Sequence, residues 1–145
     1  MAGLFPEKEY MIPLGKARIV QEGTDITLIS YGASVRECEQ AIALLKEHVS
    51  IEFIDLRTLS PMDTETILTS VKKTGRVVIA HEAQRTLGLA AEITARIQEQ
   101  ALLYLKAPIE RVTGYDIIVP LPKLEDYYFV DEKRIAEAIE KVMNF

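Results

Sequence analysis

The sequence predicts an α/β domain in which a mostly parallel sheet lies between layers of helices. Segments with the residue pattern of strands alternate four times with segments of helical spacing, which is typical of strands joined by helical crossovers. The segment RVVIA (Arg76–Ala80) is almost entirely apolar, as expected for a strand that is covered on both faces. The length of 145 residues fits one domain that buries its own core.

The first half of the chain contains two firm strands and the start of two helices. Leu14–Gln21 is compatible with a short strand, and ITLISYG (Ile26–Gly32) is the first firm one. Ser34 is a suitable N-cap for the helix that follows. The apolar residues of this helix fall at helical spacing: Val35, Cys38, Ala41, Ile42 and Leu45. SIEFIDLR (Ser50–Arg57) is the second strand.

The second half of the chain continues the alternation. Asp63 is the predicted N-cap of the next helix, and Gly75 is its predicted end. The apolar strand Arg76–Ala80 leads into a long helix over Gly88–Leu105. Ile109–Gly114 is the last predicted strand.

The two ends of the chain differ in character. Residues 1–13 contain two prolines and read as an extended lead-in, so the domain itself is predicted to cover residues 14–145. Tyr115–Phe129 is irregular. Asp131 then caps a final helix. The apolar stripe of that helix is Ile135, Ala138, Ile139 and Val142.

Composition excludes several classes of partner. The net charge is −5 and there is no basic block, so neither nucleic acid nor an anionic membrane is an expected partner. The single Cys38 cannot form an internal disulfide, which favours a reducing, cytoplasmic location. Two histidines and one cysteine without ligand spacing make a metal site unexpected.

His81 and Glu82 directly follow the apolar strand and are the first candidates for a catalytic pair. Neighbours in an extended strand point to opposite faces, so a dyad requires the strand to end between them. Glu82 can instead pair with Arg85, and His81 can bond to a neighbouring strand end. We interpret these residues as structural or interface residues, because only geometry establishes a catalytic base.

Two other strand ends carry polar groups. Asp55 and Arg57 can form a charge-assisted pair, for which Asp63 competes, and we favour a partly buried structural network. Tyr31–Ser34 could hold an anion at a helix start, but we favour a tight turn with an ordinary cap. Cys38 lies on the apolar side of its helix and is expected in the core.

Five sequence blocks occur in an order that resembles one family. The blocks are IPLGKARIVQEGTDITLISYGA, IEFIDLRTLSPMD, KKTGRVVIAHEAQRT, YLKAPIERVTG and KLEDYYFVDEKRIAEAIEKVMNF. They closely resemble the C-terminal half of the β subunit of the E1 component of 2-oxo acid dehydrogenase complexes, with pyruvate dehydrogenase nearest in appearance. The same type of domain lies at the C-terminal end of transketolase and of deoxyxylulose-phosphate synthase, but the segments LGKA, HEA and RVTG are more similar to the E1 β subunit.

The resemblance implies a fold, and it assigns cofactor and metal binding to other parts of the enzyme. The fold would be a three-layer α/β/α sandwich of the transketolase C-terminal type, with a five-stranded, mostly parallel sheet and one antiparallel strand, for which Leu14–Gln21 is the candidate. In the family, thiamine diphosphate lies between the α subunit and the N-terminal half of the β subunit, and the α subunit holds Mg²⁺. The resemblance therefore implies that this domain has no catalytic, cofactor-binding or metal-binding residues of its own.

The implied role is assembly with the E1 α subunit, a second E1 β subunit and the E2 acyltransferase. The parent reaction would be the oxidative decarboxylation of a 2-oxo acid. A branched-chain or acetoin dehydrogenase, or a free-standing protein-interaction module, stays open as an alternative. The abrupt start at Met1-Ala2-Gly3 leads us to expect a domain cut from a longer subunit.

The resemblance also names residues for docking of the E2 peripheral-subunit-binding domain. In the family, the terminal carboxylate, here that of Phe145, receives a basic side chain, and an acidic residue often precedes the Ala-Pro turn. Lys106 occupies that position here and reverses the charge. Docking would then rely on other acids such as Glu110, or the complex assembles differently.

An apolar stretch outside any clear helix or strand pattern is the candidate interface. We expect it to form a homodimer or a higher oligomer of the isolated domain. The alternative is that the stretch folds back over the sheet and belongs to the core. The candidate residues are Ile117, Ile118, Val119, Leu121, Tyr127, Tyr128 and Phe129.

Overall fold

The computed structural model describes residues 10–120 and 123–145. This part of the chain contains five strands and five α-helices, and the alternation of strands with four longer helices agrees with the sequence prediction. The short helix Glu125–Tyr128 lies in the segment predicted to be irregular. The strands are β1 (Arg18–Gln21), β2 (Ile26–Ser30), β3 (Ile51–Asp55), β4 (Val77–Gln84) and β5 (Glu110–Gly114). The helices are α1 (Ser34–Leu45), α2 (Thr64–Thr74), α3 (Leu89–Ala101), α4 (Glu125–Tyr128) and α5 (Glu132–Met143).

The five strands form one mixed sheet in the order β1-β3-β2-β4-β5. The strands β3, β2, β4 and β5 are parallel, and β1 runs antiparallel to β3. Because β1 lies within Leu14–Gln21, the expectation that this segment supplies the antiparallel strand is confirmed.

Helices cover both faces of the sheet, which confirms the three-layer α/β/α architecture. Leu28 and Phe53 pack in one core cluster with residues of α1 and α5. Their chain neighbours Ile29 and Ile54 pack in the other cluster with residues of α2 and α3. Alternation across a sheet covered on both sides explains why neighbouring positions of β2 and of β3 both carry buried apolar residues.

Capping residues fix the limits of two helices as the sequence predicts. Asp63 Oδ1 accepts a hydrogen bond from the Thr66 N–H (3.2 Å) at the start of α2, and Gly75 ends that helix in a left-handed conformation (φ 74°). Asp131 Oδ1 accepts from the Arg134 N–H (2.8 Å) at the start of α5. These bonds satisfy N–H groups that the first helical turn leaves without an intrahelical partner.

The N-cap predicted at Ser34 is wrong. The turn into α1 begins at Gly32, whose φ of 65° is left-handed, and Ala33 already has helical geometry. Ser34 is therefore the first residue of the helix, and its buried Oγ has no hydrogen-bond partner among the described residues.

Two predicted boundaries also differ from the structure. The strand expected to end at Ala80 continues to Gln84, because Gln84 still pairs with Gly114 of β5 after a register shift. The helix expected to reach Leu105 ends at Ala101, whose φ of −141° leaves the helical region, and a 3₁₀ turn follows over Leu102–Tyr104.

None of the helices found in residues 10–120 and 123–145 has the length and apolar character required to cross a membrane.

Candidate functional site

The carboxyl ends of the parallel strands lie along one edge of the sheet, where ligands bind in many open α/β folds. Tyr31 follows β2, and its ring stacks on the ring of His81 in β4 (centroids 5.7 Å apart). Asp55 ends β3, on the other side of β2. The structure thus brings Tyr31 and His81 together.

His81 is completely buried, and its Nδ1 has no hydrogen-bond partner among the described residues. Its Nε2 accepts a hydrogen bond from the Ala90 N–H (3.2 Å) in the first turn of α3. The neutral ring therefore carries its proton on Nδ1. The expectation that His81 bonds to a neighbouring strand end is wrong, because its partner is the N–H of Ala90 at the start of α3.

The pKa of His81 lies below its ordinary value. Burial is the main cause, and the positive charge of Arg111 acts in the same direction, while the backbone of Ala83 opposes both. The imidazole is neutral at pH 7, and its one lone pair is engaged by Ala90. This geometry leaves no free basic nitrogen for a substrate proton.

Gly88 permits the close contact between α3 and His81. A Cβ at this position would lie 2.2 Å from the carbonyl oxygen of Gln84 and 2.8 Å from Cε1 of His81. The sequence interpretation missed this role. The signal was a glycine just before a predicted helix and a few residues after a buried histidine.

Glu82 and Arg85 do not form the predicted pair. Glu82 is exposed, on the opposite face of β4 from buried His81, and it lines an open concavity of about 310 Å³ with Phe129 and Asp131. The Nη1 of Arg85 instead donates to the carbonyl oxygen of Arg111 (2.9 Å). The extension of β4 through Gln84 explains this difference, because Glu82 lies within the strand whereas Arg85 lies in the bend directly after it.

The polar groups after β3 form a local arrangement. Asp55 Oδ1 accepts from the backbone N–H of Arg57 (3.1 Å), and its Oδ2 lies 4.0 Å from the Nε of Arg57. Asp63 does not compete for Arg57, because its Oδ2 accepts from the Ala17 N–H (3.0 Å) and the Thr66 hydroxyl (2.9 Å). Burial raises the pKa of Asp63, but these hydrogen bonds outweigh burial and lower it overall.

Neither a nucleophile nor a metal site emerges from this part of the chain. Burial raises the pKa of the Cys38 thiol to about 12, so it is not an available thiolate at neutral pH. Residues 10–120 and 123–145 contain no group of three or more His, Cys, Asp or Glu side chains placed to hold a metal ion.

The predicted docking residues fall in two places. Phe145 and Lys106 line one open groove of about 450 Å³ together with Pro108, and Lys106 Nζ donates to the carbonyl oxygen of Thr74 (3.0 Å). Glu110 lies outside this groove, and its Oε2 pairs with the Nζ of Lys141 (2.7 Å).

The apolar stretch divides between surface and core. Ile118 (93% exposed) and Tyr127 (77%) are on the surface, and Ile117, Val119 and Phe129 are also exposed. Tyr128 is buried, so its assignment to an exposed patch is wrong. Its ring fits against Gly114, where a Cβ would lie 2.7 Å from the Tyr128 hydroxyl oxygen. Leu121 lies outside the described residues.

The mixed sheet, its antiparallel edge strand and its helix layers define an α/β/α domain of the kind found in transketolases. A solved structure described as a split gene transketolase, inactive β4 tetramer, superposes with a TM-score of 0.81 over 97% of this chain and 45% of that one, at 22% identity. A transketolase structure from Pichia stipitis superposes with a TM-score of 0.59 over 90% of this chain and 18% of that one, at 14% identity. At these identities, the similarity shows the fold alone.

Sequence comparison defines the family. The family model "Transketolase, C-terminal domain" matches residues 15–135, and the chain belongs to this family. It is 54% identical to the 2-oxoisovalerate dehydrogenase subunit beta, mitochondrial, of Dictyostelium discoideum, over 95% of the chain and 38% of that protein. It is 47% identical to the pyruvate dehydrogenase E1 component subunit beta of Acholeplasma laidlawii, over 94% of the chain and 42% of that protein. It is 44% identical to the Bacillus subtilis protein of that name, over 97% of the chain and 43% of that protein.

The chain thus spans about two fifths of the length of these curated relatives.

Proposed function

We propose that this chain is the C-terminal assembly domain of the β subunit of the E1 component of a 2-oxo acid dehydrogenase complex. The observation that carries the proposal is 44–54% identity to proteins named as such β subunits, over nearly the whole chain. The parent enzyme would decarboxylate a 2-oxo acid oxidatively and transfer the acyl group to a lipoyl group of the E2 component. Thiamine diphosphate and Mg²⁺ would bind outside this domain.

Pyruvate is the substrate we propose for the parent enzyme, because two of the three relatives carry that name. A branched-chain 2-oxo acid is the second candidate, since the relative named for 2-oxoisovalerate has 54% identity. The ratio of kcat/KM for pyruvate and 2-oxoisovalerate, measured on the assembled parent E1, separates the two. A ratio above about ten supports pyruvate, and the reverse preference supports the branched-chain assignment. The bacterial relatives favour a cytoplasmic location, whereas the Dictyostelium protein is named mitochondrial.

We propose a structural role for His81 in the parent enzyme. The support is its complete burial, its lowered pKa and the engagement of Nε2 by the Ala90 N–H. A buried neutral imidazole that links a strand to a helix start fixes the position of α3 on the sheet. Glu82 then remains free on the opposite face of β4, where a partner subunit can reach it.

We propose the groove lined by Phe145 and Lys106 as the docking place for the E2 peripheral-subunit-binding domain. Phe145 is 78% exposed, so it is accessible to a partner protein. Lys106 contributes a positive charge to the same groove, which opposes a basic partner. Lys106 also has a structural role, because its Nζ donates to the carbonyl oxygen of Thr74 and its positive charge stabilises the carboxyl end of α2.

We propose that the exposed apolar surface forms the contact between two copies of the domain. It consists of Ile117, Ile118, Val119, Tyr127 and Phe129, which we call the apolar surface. Large apolar side chains grouped in this way usually mark an interface rather than free surface. Because identical chains associate mostly about a two-fold axis, each copy would present the same residues to the other.

Sedimentation velocity of the wild type and of an Ile118→Asp variant tests this contact. The wild type is expected to be a dimer or larger at micromolar concentration, and Ile118→Asp is expected to be a folded monomer. Leu103→Asp is the matched control, because Leu103 is equally exposed (96%) but lies in the turn after α3. A monomeric wild type, or dissociation by the control variant alone, would contradict the proposed contact.

A further inference from the structure

Three arginines meet at the free edge of the sheet. Arg85 directly follows β4, Arg111 lies in the edge strand β5 and Arg134 lies in α5. Together they line one open concavity of about 310 Å³, which we call the arginine notch. These positions are far apart in the sequence, so no local pattern reveals the cluster.

Backbone carbonyls hold two of these arginines in a reciprocal arrangement. The Nη1 of Arg85 donates to the carbonyl oxygen of Arg111 (2.9 Å), and the Nη1 of Arg111 donates to the carbonyl oxygen of Arg85 (3.3 Å). Each bond uses one of the five N–H donors of a guanidinium group. Within residues 10–120 and 123–145, the remaining donors form no hydrogen bond and are available to a further acceptor.

Arg134 is fixed more firmly than the other two. Its Nη2 donates to the carbonyl oxygen of Thr113 (2.7 Å), and its Nη1 donates to that of Phe129 (3.2 Å). The guanidinium also lies over the ring of Tyr115, 4.8 Å from its centroid. A guanidinium held from two sides presents its other donors with little further loss of conformational freedom.

Carbonyl oxygens orient these guanidinium groups but do not neutralise them. In the described part of the chain, none of the three arginines forms an ion pair with a carboxylate. The backbone N–H and hydroxyl of Thr86 donate hydrogen bonds to the oxygens of Asp116 and are the main cause of its lowered pKa. The charge of Arg85 contributes less to that shift, so Asp116 balances only part of this charge.

The lining of the notch has an unmatched positive charge of about two. Lys141 adds a fourth cation but pairs with Glu110 (2.7 Å), and Glu137 is the second carboxylate. Like charges gathered in one concavity repel one another. In a chain with a net charge of −5, such a cluster points to an anionic ligand that offsets this repulsion.

We propose that the arginine notch binds a phosphate group. A phosphate dianion carries about −1.5 to −2 charges at pH 7, which matches the unpaired charge of the notch, whereas one carboxylate would match only half of it. Planar guanidinium forks suit the oxygens of a phosphate. The phosphate could be the free anion or part of a small phosphate monoester, and this site is separate from the assembly role proposed above.

Titration of the 145-residue chain with inorganic phosphate, followed by the arginine Nε–Hε signals in ¹H–¹⁵N spectra, tests the proposal. Sodium chloride keeps the ionic strength constant. Saturable shifts are expected for Arg85, Arg111 and Arg134, with half-saturation at about 1–10 mM. Arg96, which pairs with Glu92 (2.7 Å), is the internal reference and should not respond. Absence of saturable shifts up to about 50 mM phosphate, or equal shifts with acetate, would overturn the proposal.

A second titration with O-phosphoserine distinguishes the two sources of phosphate. Tighter binding than that of inorganic phosphate identifies a monoester as the better ligand, and weaker binding identifies the free anion. In both cases the shifts must fall on the same three arginines. Shifts confined to other residues would refute the assignment of the site.

Variants of the notch provide a second, independent measurement. Arg111→Gln keeps a hydrogen-bond donor but removes the charge, and it is expected to weaken phosphate binding by about tenfold or more. Backbone ¹H–¹⁵N spectra report whether the variant is folded.

Glu137→Gln avoids any risk to folding, because Glu137 is exposed on α5. Removing this carboxylate should tighten phosphate binding by about threefold, whereas the control Glu140→Gln, exposed on the same helix but outside the notch, should change it little. Unchanged affinity in Glu137→Gln, or an equal gain in the control, would contradict the proposal.

Discussion

Replacement of Gly88 by alanine is expected to destabilise the junction between β4 and α3. The φ of Gly88 is −68°, which alanine adopts without strain, so the cost arises only from the added methyl group. That Cβ would lie 2.2 Å from the carbonyl oxygen of Gln84, more than 1 Å inside the 3.4 Å of an ordinary contact, and 2.8 Å from Cε1 of His81. The start of α3 must therefore move away from the sheet.

The expected magnitude follows from the contacts that this movement breaks. Loss of the hydrogen bond from the Ala90 N–H to His81 Nε2 leaves buried polar atoms without partners, at a cost of about 1–3 kcal/mol. Forcing a methyl group into a packed junction adds about 1–3 kcal/mol. Together they lower the free energy of unfolding by about 2–6 kcal/mol, before an offset of about 0.4–1 kcal/mol from the less flexible unfolded chain.

Urea unfolding followed by circular dichroism measures this loss, with Gly32→Ala as the matched control. Gly32 has a φ of 65° and no atom within 4 Å of its added Cβ, so alanine there carries only a conformational cost of about 1 kcal/mol. Gly88→Ala should lower the midpoint clearly more than Gly32→Ala. Equal midpoints for the two variants would refute the steric reasoning.

Three further predictions concern an ion pair, the buried histidine and the docking groove. Glu52→Gln should lower the free energy of unfolding at pH 7 by about 1–3 kcal/mol, since buried Glu52 is bonded to Lys73. Burial raises the pKa of Glu52, but the bond from Lys73 and neighbouring hydrogen bonds lower it overall, so this stabilisation is present above pH ~4.3 and is lost as the pH falls through the folded-state pKa. The free energy of unfolding, measured by urea titrations at a series of acid pH values, should therefore fall more steeply with decreasing pH for the wild type than for the variant. Parallel pH dependences would exclude this role. His81→Ala in the full-length β subunit should reduce stability or subunit association more than the single-turnover rate, and a loss of about 10²-fold in that rate with assembly intact would indicate acid–base catalysis instead. Lys106→Glu should tighten binding of a basic peripheral-subunit-binding domain by about three- to tenfold at low salt, and unchanged affinity in surface plasmon resonance would remove Lys106 from the docking place.

Apolar periodicity predicts most of this fold because the sheet is covered on both faces. The run Arg76–Ala80 identifies a central strand, and the caps Asp63 and Asp131 set helix starts through bonds that are local in sequence. The structure differs at Ser34 because the start of a helix depends on the backbone conformation of the residues before it. Gly32 makes the turn and Ala33 is already helical, so Ser34 is the first residue of α1 rather than its N-cap.

The misjudged parts of the candidate site depend on contacts between distant residues. Tyr128 is buried because Gly114 leaves room for its ring, and nothing near Tyr128 in the sequence indicates that contact. The continuation of β4 through Gln84 depends likewise on pairing with Gly114. Proximity in the sequence favours a pair between Arg85 and Glu82, whereas in the structure Arg85 follows β4 and donates a hydrogen bond to the carbonyl oxygen of Arg111.

Calorimetric titration of the folded 145-residue chain with thiamine diphosphate and Mg²⁺ tests most directly whether this domain serves assembly rather than chemistry. The assembled parent E1, which contains both subunits, is the positive control. We predict no saturable heat for the isolated chain, because the proposed cofactor site lies in the α subunit and in the N-terminal half of the β subunit. Saturable binding with a micromolar dissociation constant would contradict the assembly role.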